Sequence, residues 1–210
     1  MRHETAQVFI DAGADTNAIE RAVAARVAGL AEHGRIGFAR NLEGSWGAGD
    51  YTLDLMLDDD APACDDVFAD LAAIAGVARI DHVGCLSIGG GLRDSGLRDG
   101  IWRTLMLRVR AGASDSHVAA LERELLQMPA FMAGIRNWRL SRVATPGTWT
   151  HVWQQEFTRA DDLLGEYLMH PFHWGWVDRW FDAEHPQWTV EAISHAFCPL
   201  ESSLLTVPAS

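Results

Sequence analysis

Cysteine is scarce in this chain: Cys64, Cys85 and Cys198 are the only three among 210 residues. They are widely spaced, odd in number and form no CxxC pair. This argues against a disulfide framework or a zinc ribbon, and a reducing, cytoplasmic setting is expected. Positive charge is also short, with 17 basic against 29 acidic residues and a formal net charge of −12. Such a chain is a poor partner for nucleic acid or an anionic membrane. No apolar run reaches the length of a membrane span. The start, His3-Glu4-Thr5, is polar with no apolar stretch after it, so no signal peptide is expected. The usual catalytic signatures are missing too. Gly89-Gly90-Gly91 lacks the lysine and spacing of a phosphate loop, and no serine sits in a GxSxG context. The acidic runs Asp58-Asp59-Asp60 and Asp65-Asp66 read as caps and solvated turns at a helix starting near Pro62, not as a cation site.

What the chain has in excess is tryptophan. There are nine, and six of them (Trp149, Trp153, Trp174, Trp176, Trp180, Trp188) fall in the last third. Indole suits cores, subunit contacts and aromatic pockets. With 48% hydrophobic and 22% charged residues, a sizeable core can form.

The pattern of elements repeats. In the first half, Ala6–Asp11 reads as a strand, and Asn17–Glu32 as a helix carrying Ile19, Val23, Val27 and Leu30 on one face. Asn17 and Glu20 form a capping-box signature at its start. Arg35–Asn41 and the alternating Tyr51–Leu57 read as strands around a glycine-rich turn. Pro62–Ile74 reads as a helix and Val77–Ile88 as a strand. The glycine-dense stretch from Gly89 to Gly96 reads as a flexible linker. The order then restarts: strand Trp102–Arg110, helix Ser116–Met128 ended by Pro129, strands Ile135–Val143 and Trp149–Phe157, a helix begun by Thr158 and Asp161, and strand Thr189–Phe197. The tail from Pro199 is expected to form an edge or a docking arm. Strand-helix-strand twice per half is the ferredoxin-like order. Two such sheets hide their bare faces by packing together. The expected architecture is α+β, with tandem ferredoxin-like halves, residues 1–98 and 99–210, fused into one pseudo-dimeric barrel.

Chemistry concentrates in Glu166-Tyr167-Leu168-Met169-His170-Pro171-Phe172-His173-Trp174, which follows a strand bearing His151. Pro171 breaks or kinks a helix there, and His170 before it is pushed toward extended backbone, so both read as structural. The His173 imidazole can take a proton near neutral pH, and the Tyr167 phenol can donate to a developing oxyanion. His151 shares a strand face with Trp149, Trp153 and Gln155, which suits it to orient His173 or a ligand. The histidines lack the companions of a known metal pattern, so no metal and no cofactor are expected.

The residues Trp149-Thr150-His151-Val152-Trp153, Glu156-Phe157 and Tyr167-xx-His170-Pro171-x-His173 resemble the stress-responsive α/β-barrel (Dabb) family, similar to dimeric α+β barrel proteins of the olivetolic acid cyclase type. The match spans roughly residues 101 to 197; the first half shares only the order of elements. The resemblance implies sheet-to-sheet barrels and metal-free acid/base chemistry, with His173 as general base, Tyr167 as its partner and His151 as a pocket histidine. Arg103 falls near a position where the family has a further histidine, which implies an anionic group on the substrate. Trp149, Trp153 and Trp174 are the expected aromatic lining. The first half lacks the motif, with Leu53 read as standing at the place of His151. One pocket per chain is expected, the first half being a structural partner. The expected activity is that of a cofactor-independent lyase or cyclase working on an aromatic or polyketide-like molecule by aldol, dehydration or decarboxylation chemistry. A non-catalytic stress-response or hydrophobic-ligand-binding barrel and a cofactor-free oxygenase remain alternatives. A homodimer of the fused barrel is the expected assembly.

Overall fold

The computed structural model of the chain describes residues 1–205. Four strands and two helices form the first half: β1 (Arg2–Ile10), α1 (Thr16–Ala28), β2 (Gly34–Arg40), β3 (Tyr51–Leu57), α2 (Cys64–Ala72) and β4 (Val77–Leu92). The second half contains β5 (Arg98–Val109), α3 (Asp115–Phe131), β6 (Ile135–Val143), β7 (His151–Phe157) and β8 (Val190–Ser202). The strands make one antiparallel sheet in the order β2-β3-β1-β4-β6-β7-β5-β8. Each half keeps the ferredoxin-like order, and the β4–β6 ladder fuses the two.

The sheet curls until its ends meet. Residues 42–46, between β2 and β3, run along the free edge of β8: the Leu42 amide donates to the Phe197 carbonyl at 2.8 Å, and Trp46 and His195 exchange both amide bonds at 2.8 Å. Gly47 permits this approach because its φ is +64° and a Cβ there would press on the Ile193 carbonyl. The result is a fused α+β barrel with helices outside.

The alternation of β3 shows why both faces of the sheet are buried. Leu53, Leu55 and Leu57 pack beneath α1 and α2 with Ile19, Val23 and Leu71. Asp54 and Met56 point into the barrel, where they meet Gln154 and Arg139 from the other half. In the second half, Leu105, Leu107, Trp153 and Phe157 pack beneath α3 with Leu121, Leu125 and Met128.

Several expectations need correction. Gly89–Gly91 is not a linker: it is the end of β4 and ladders onto Leu140, Arg139 and Trp138 of β6. Side chains are excluded there because a Cβ on Gly91 would collide with the Trp138 indole, and one on Gly90 with the Trp138 carbonyl. The N-cap of α1 is Asp15, whose carboxylate accepts from the Ala18 amide at 3.0 Å. Glu20, expected in a capping box, instead accepts from the Tyr51 hydroxyl at 3.0 Å. Pro129 does not end α3, which runs on to Phe131; the Arg93 guanidinium donates to the carbonyls of Pro129, Met132 and Ile135 at that end. The runs at Asp58–Asp60 and Asp65–Asp66 do not cap α2 through side chains: its N-cap is Ala63. The segment from Pro199 to Ser202 continues β8. Beyond it, the buried Glu156 carboxylate anchors residues 203–205 by accepting from Ser203 Oγ and from the amides of Leu204 and Leu205. The last five residues of the expected tail, 206–210, lie outside the described ones.

Among the described residues, no helix is long and apolar enough to cross a membrane. All three cysteines are free and buried.

Candidate active site

The helix expected after Asp161 is two wide π-helical turns, Asp162–Tyr167 and His173–Val177, followed by a tight 3-10 turn at Asp178–Trp180. Widened turns re-aim side chains that an α-helix would space evenly, and they recur at functional sites. The break falls at His170, ahead of Pro171. There the His170 Nδ1 accepts from the Phe172 amide at 3.1 Å, and its carbonyl accepts from the His173 amide at 2.8 Å. The interruption brings Tyr167 and His173 together, ring centroids 4.7 Å apart and ring planes tilted by 60°.

Beneath them lies the outer face of the second-half sheet. Arg103 on β5 is paired in register with Gln155 on β7 and with Phe197 on β8. Its Nε donates to His195 Nε2 at 2.8 Å, and its Nη1 donates to Gln155 Oε1 at 2.5 Å. The guanidinium carbon sits 5.1 Å from the centroid of the Tyr167 ring. Arg103 is only 5% exposed and Tyr167 only 2%. One cluster thus joins the buried Arg103, Gln155 and Tyr167 to the partly buried His173 and His195, with Trp153 on the same strand face as Gln155.

The electrostatics follow from burial around a fixed cation. Burial, with Arg103 and His170 adding to it, lowers the pKa of His173 to about 4. Burial, then Arg103 and His173, lowers that of His195 to about 3. Both imidazoles are therefore neutral at physiological pH. Burial raises the Tyr167 phenol although Arg103 opposes it, so the phenol keeps its proton. That proton faces only the Met128 thioether, 3.9 Å away and a weak acceptor. Asp178 Oδ1 lies 3.4 Å from His173 Nδ1, but Nδ1 makes no aligned hydrogen bond.

These shifts give a pH expectation. An unfolded histidine titrates near 6.5. As pH falls from about 6.5 toward 4, the unfolded chain takes up protons that folded His173 and His195 refuse, so stability present above 6.5 is progressively lost. The slope is at most about 1.4 kcal/mol per pH unit for each group. His195→Gln keeps an acceptor for Arg103 but does not titrate, so thermal melts of this variant between pH 6 and 5 should show a shallower loss than wild type. Equal slopes would remove His195 from this account.

The structure does not bring every expected residue to this cluster. His151 is on the same face of β7 but four residues from Gln155, roughly 13 Å at strand rise. Its Nε2 meets Glu122 Oε1 of α3 at 3.0 Å, and Glu122 is also gripped by Arg142 at 2.7 and 2.9 Å. The matching strand position in the first half is Tyr51, not Leu53: each opens a seven-residue strand, and each binds a helix glutamate. Trp149 packs against Val83, Cys85, Met106 and Val152, away from the cluster. Trp174 is 61% exposed. Gln155 and His195 carry no local motif. The one signal for His195 was its alternation with Ile193 and Phe197 on the strand that the ferredoxin-like order sets beside β5.

The fold and this cluster define an α+β barrel with a polar, buried centre between one half-sheet and a broken helix. Residues 101–190 match the family model for the Stress responsive A/B Barrel Domain, Dabb. No curated protein matches the sequence. A candidate monooxygenase from Fusobacterium nucleatum subsp. nucleatum has a TM-score of 0.64 at 7% identity, covering 96% of this chain and 94% of that one. An anthrone oxidase-like protein also reaches 0.64, at 8% identity over 100% and 97% of the two chains. A mutant chlorite dismutase from Candidatus Nitrospira defluvii reaches 0.59 at 10% identity over 94% and 90%. At such identities the likeness is one of fold. Among the described residues, no group of three or more His, Cys, Asp or Glu side chains is placed to hold a metal ion.

Proposed function

We propose that the chain is a cofactor-independent lyase or cyclase that moves a proton on an aromatic or polyketide-like small molecule, through aldol, dehydration or decarboxylation chemistry. The observation that carries this reading is the neutral His173 imidazole beside a buried guanidinium and an under-used phenol. A neutral imidazole can accept a proton from carbon next to a carbonyl. The negative charge that moves to oxygen is then met by Arg103 and by the Tyr167 hydroxyl, whose proton now reaches only a thioether. Trp153 and Phe157 wall the cluster and keep water out.

In this reading residues 99–210 hold the site, and residues 1–98 close the barrel through the strap on β8. Pro171 and His170 set the break, while His151 braces β7 against α3. The protein is then a cytoplasmic one with a small hydrophobic substrate, without nucleic-acid or membrane partners, and pairs with a second copy through apolar side chains exposed on residues 164–176.

The test is proton exchange. Purified protein with 1,3-diketones or β-keto thioesters in heavy water should speed loss of the protons between the carbonyls, with no added cofactor, no effect of chelator and no oxygen uptake. Oxygen uptake without exchange would favour an oxygenase. Tight binding without either would favour a ligand-binding barrel.

A further inference from the structure

The cluster around Arg103 has donors in excess. The guanidinium is fully charged at any physiological pH and can only donate. Because it donates to His195 Nε2, that imidazole must carry its proton on Nδ1 and offers Arg103 no charge in return. Gln155 spends its oxygen on Arg103, which leaves its Nε2 as a donor beside the Tyr167 hydroxyl but with no aligned hydrogen bond. Trp153 Nε1, a donor only, is buried with no aligned partner, the Tyr167 hydroxyl being the acceptor beside it. The Tyr167 hydroxyl is under-satisfied. Among the described residues, no carboxylate comes within ion-pair distance of Arg103. The other buried arginine among them has one: Arg139 lies 3.8 Å from Asp54. The chain contains no lysine, so no cation here can shed its proton to escape burial.

An unpaired buried charge and orphaned donors each cost free energy until a partner arrives. We propose that the Arg103 centre is a binding site for a small planar organic anion with two oxygen acceptors, a carboxylate or the enolate of a 1,3-dicarbonyl, and that His195 and Gln155 are positioning residues that hold the guanidinium edge toward it. The inference rests on the reading of this cluster as the ligand site, and narrows its ligand to an anion. Two neutral acceptors fix Arg103 without cancelling its charge, so the electrostatic attraction is left for the ligand. Low accessibility to water strengthens it further. Trp153 and Tyr167 supply flat apolar surface for the organic part.

The probes are benzoate, its neutral counterpart benzamide, and acetylacetonate presented above its own ionisation pH, with binding followed by calorimetry and by tryptophan fluorescence. One or both anions should bind wild type at least tenfold more tightly than benzamide. Arg103→Met should weaken the anion about 10–100-fold, the range for a hydrogen bond to a charged group, and leave benzamide unchanged. Arg103→Lys should fall between. Removing an uncompensated buried cation should leave the melting temperature of Arg103→Met equal or higher, so the variant stays folded for the measurement. His195→Phe should reduce the anion-to-benzamide ratio, and His195→Gln should restore it, a rescue that a merely structural role would not give. Benzoate binding alone identifies a carboxylate, and acetylacetonate binding alone an enolate. Failure of both anions, or equal affinity for benzamide, or anion binding indifferent to Arg103→Met, overturns the proposal. If anions bind through Arg103 but proton exchange is absent, the site stands and the enzymatic reading falls. If exchange depends on His173 while anions do not bind, the reverse holds.

Discussion

His173→Ala should lower turnover on the true substrate about 10²–10⁴-fold, the usual contribution of a positioned general base, with the melting temperature little changed. His173 sits on a broken helical segment at the edge of the core, partly exposed, so removing its ring opens no large cavity. Tyr167→Phe should cost about 10²–10³-fold if the phenol is the donor to a developing oxyanion. The pH profile separates a base from a bystander. With burial and Arg103 holding His173 at about 4, the imidazole is already in its basic form at pH 5. The acid limb of kcat/KM should therefore fall near pH 4, not near the ordinary histidine value of about 6.5. An acid limb near 6.5, or full activity in His173→Ala, would falsify the role. A ligand anion would raise the His173 value in the complex, so the limb of kcat should lie at higher pH than that of kcat/KM.

The strands were legible where one residue type repeats with period two against punctuated ends. Tyr51–Leu57 and Ile135–Val143 match their sequence-based bounds because turn-forming or small residues flank them. The β4 end was not legible. Glycines contribute no pattern, and Gly90 and Gly91 are there because the Trp138 backbone and indole occupy the space. That cause lies nearly fifty residues away. The π-helical turns share this character: Pro171 announces a break, yet the widened turns set Tyr167 against Arg103 of β5 and Phe157 of β7, neighbours that no local pattern names. The motif located His173 and Tyr167, and the family resemblance located Arg103. His195 was out of reach because its partner is 92 positions distant in sequence. His151 enters the candidate site by its strand face and by the family resemblance; the distance along β7 and the Glu122–Arg142 pair separate it from the cluster.

Polar residues in β1, β3, β6 and β7 carry a different lesson, and a second large effect. In a half-buried strand, a charge marks the solvent face. In a barrel both faces are inside, so a charge on the second face must find a partner across the lumen. Asp54 Oδ1 accepts from Gln154 Nε2 at 2.9 Å and lies 2.8 Å from His3 Nε2. Arg139 Nη2 donates to Gln154 Oε1 at 2.9 Å, and its Nη1 points at Met56 Sδ at 2.9 Å. Burial pushes the Asp54 carboxyl up, but His3, Arg139 and Gln154 outweigh it and hold it below its usual value. Asp54→Ala removes the one anion from this group and leaves the buried Arg139 cation without its ion-pair partner. Breaking such a pair from one side costs about 3–5 kcal/mol. In a chain of this size that is a fall in melting temperature of roughly 6–20 °C. Replacing the group together, as in His3→Phe/Asp54→Leu/Arg139→Met, removes the charges along with the cost of burying them and should restore most of the loss. Urea melts of the single and triple variants decide the matter. A single variant within about 1 kcal/mol of wild type would mean that water reaches Arg139 and the lumen is wet. A triple variant as unstable as the single would mean that shape, not charge balance, is what Asp54 supplies at the seam between the halves.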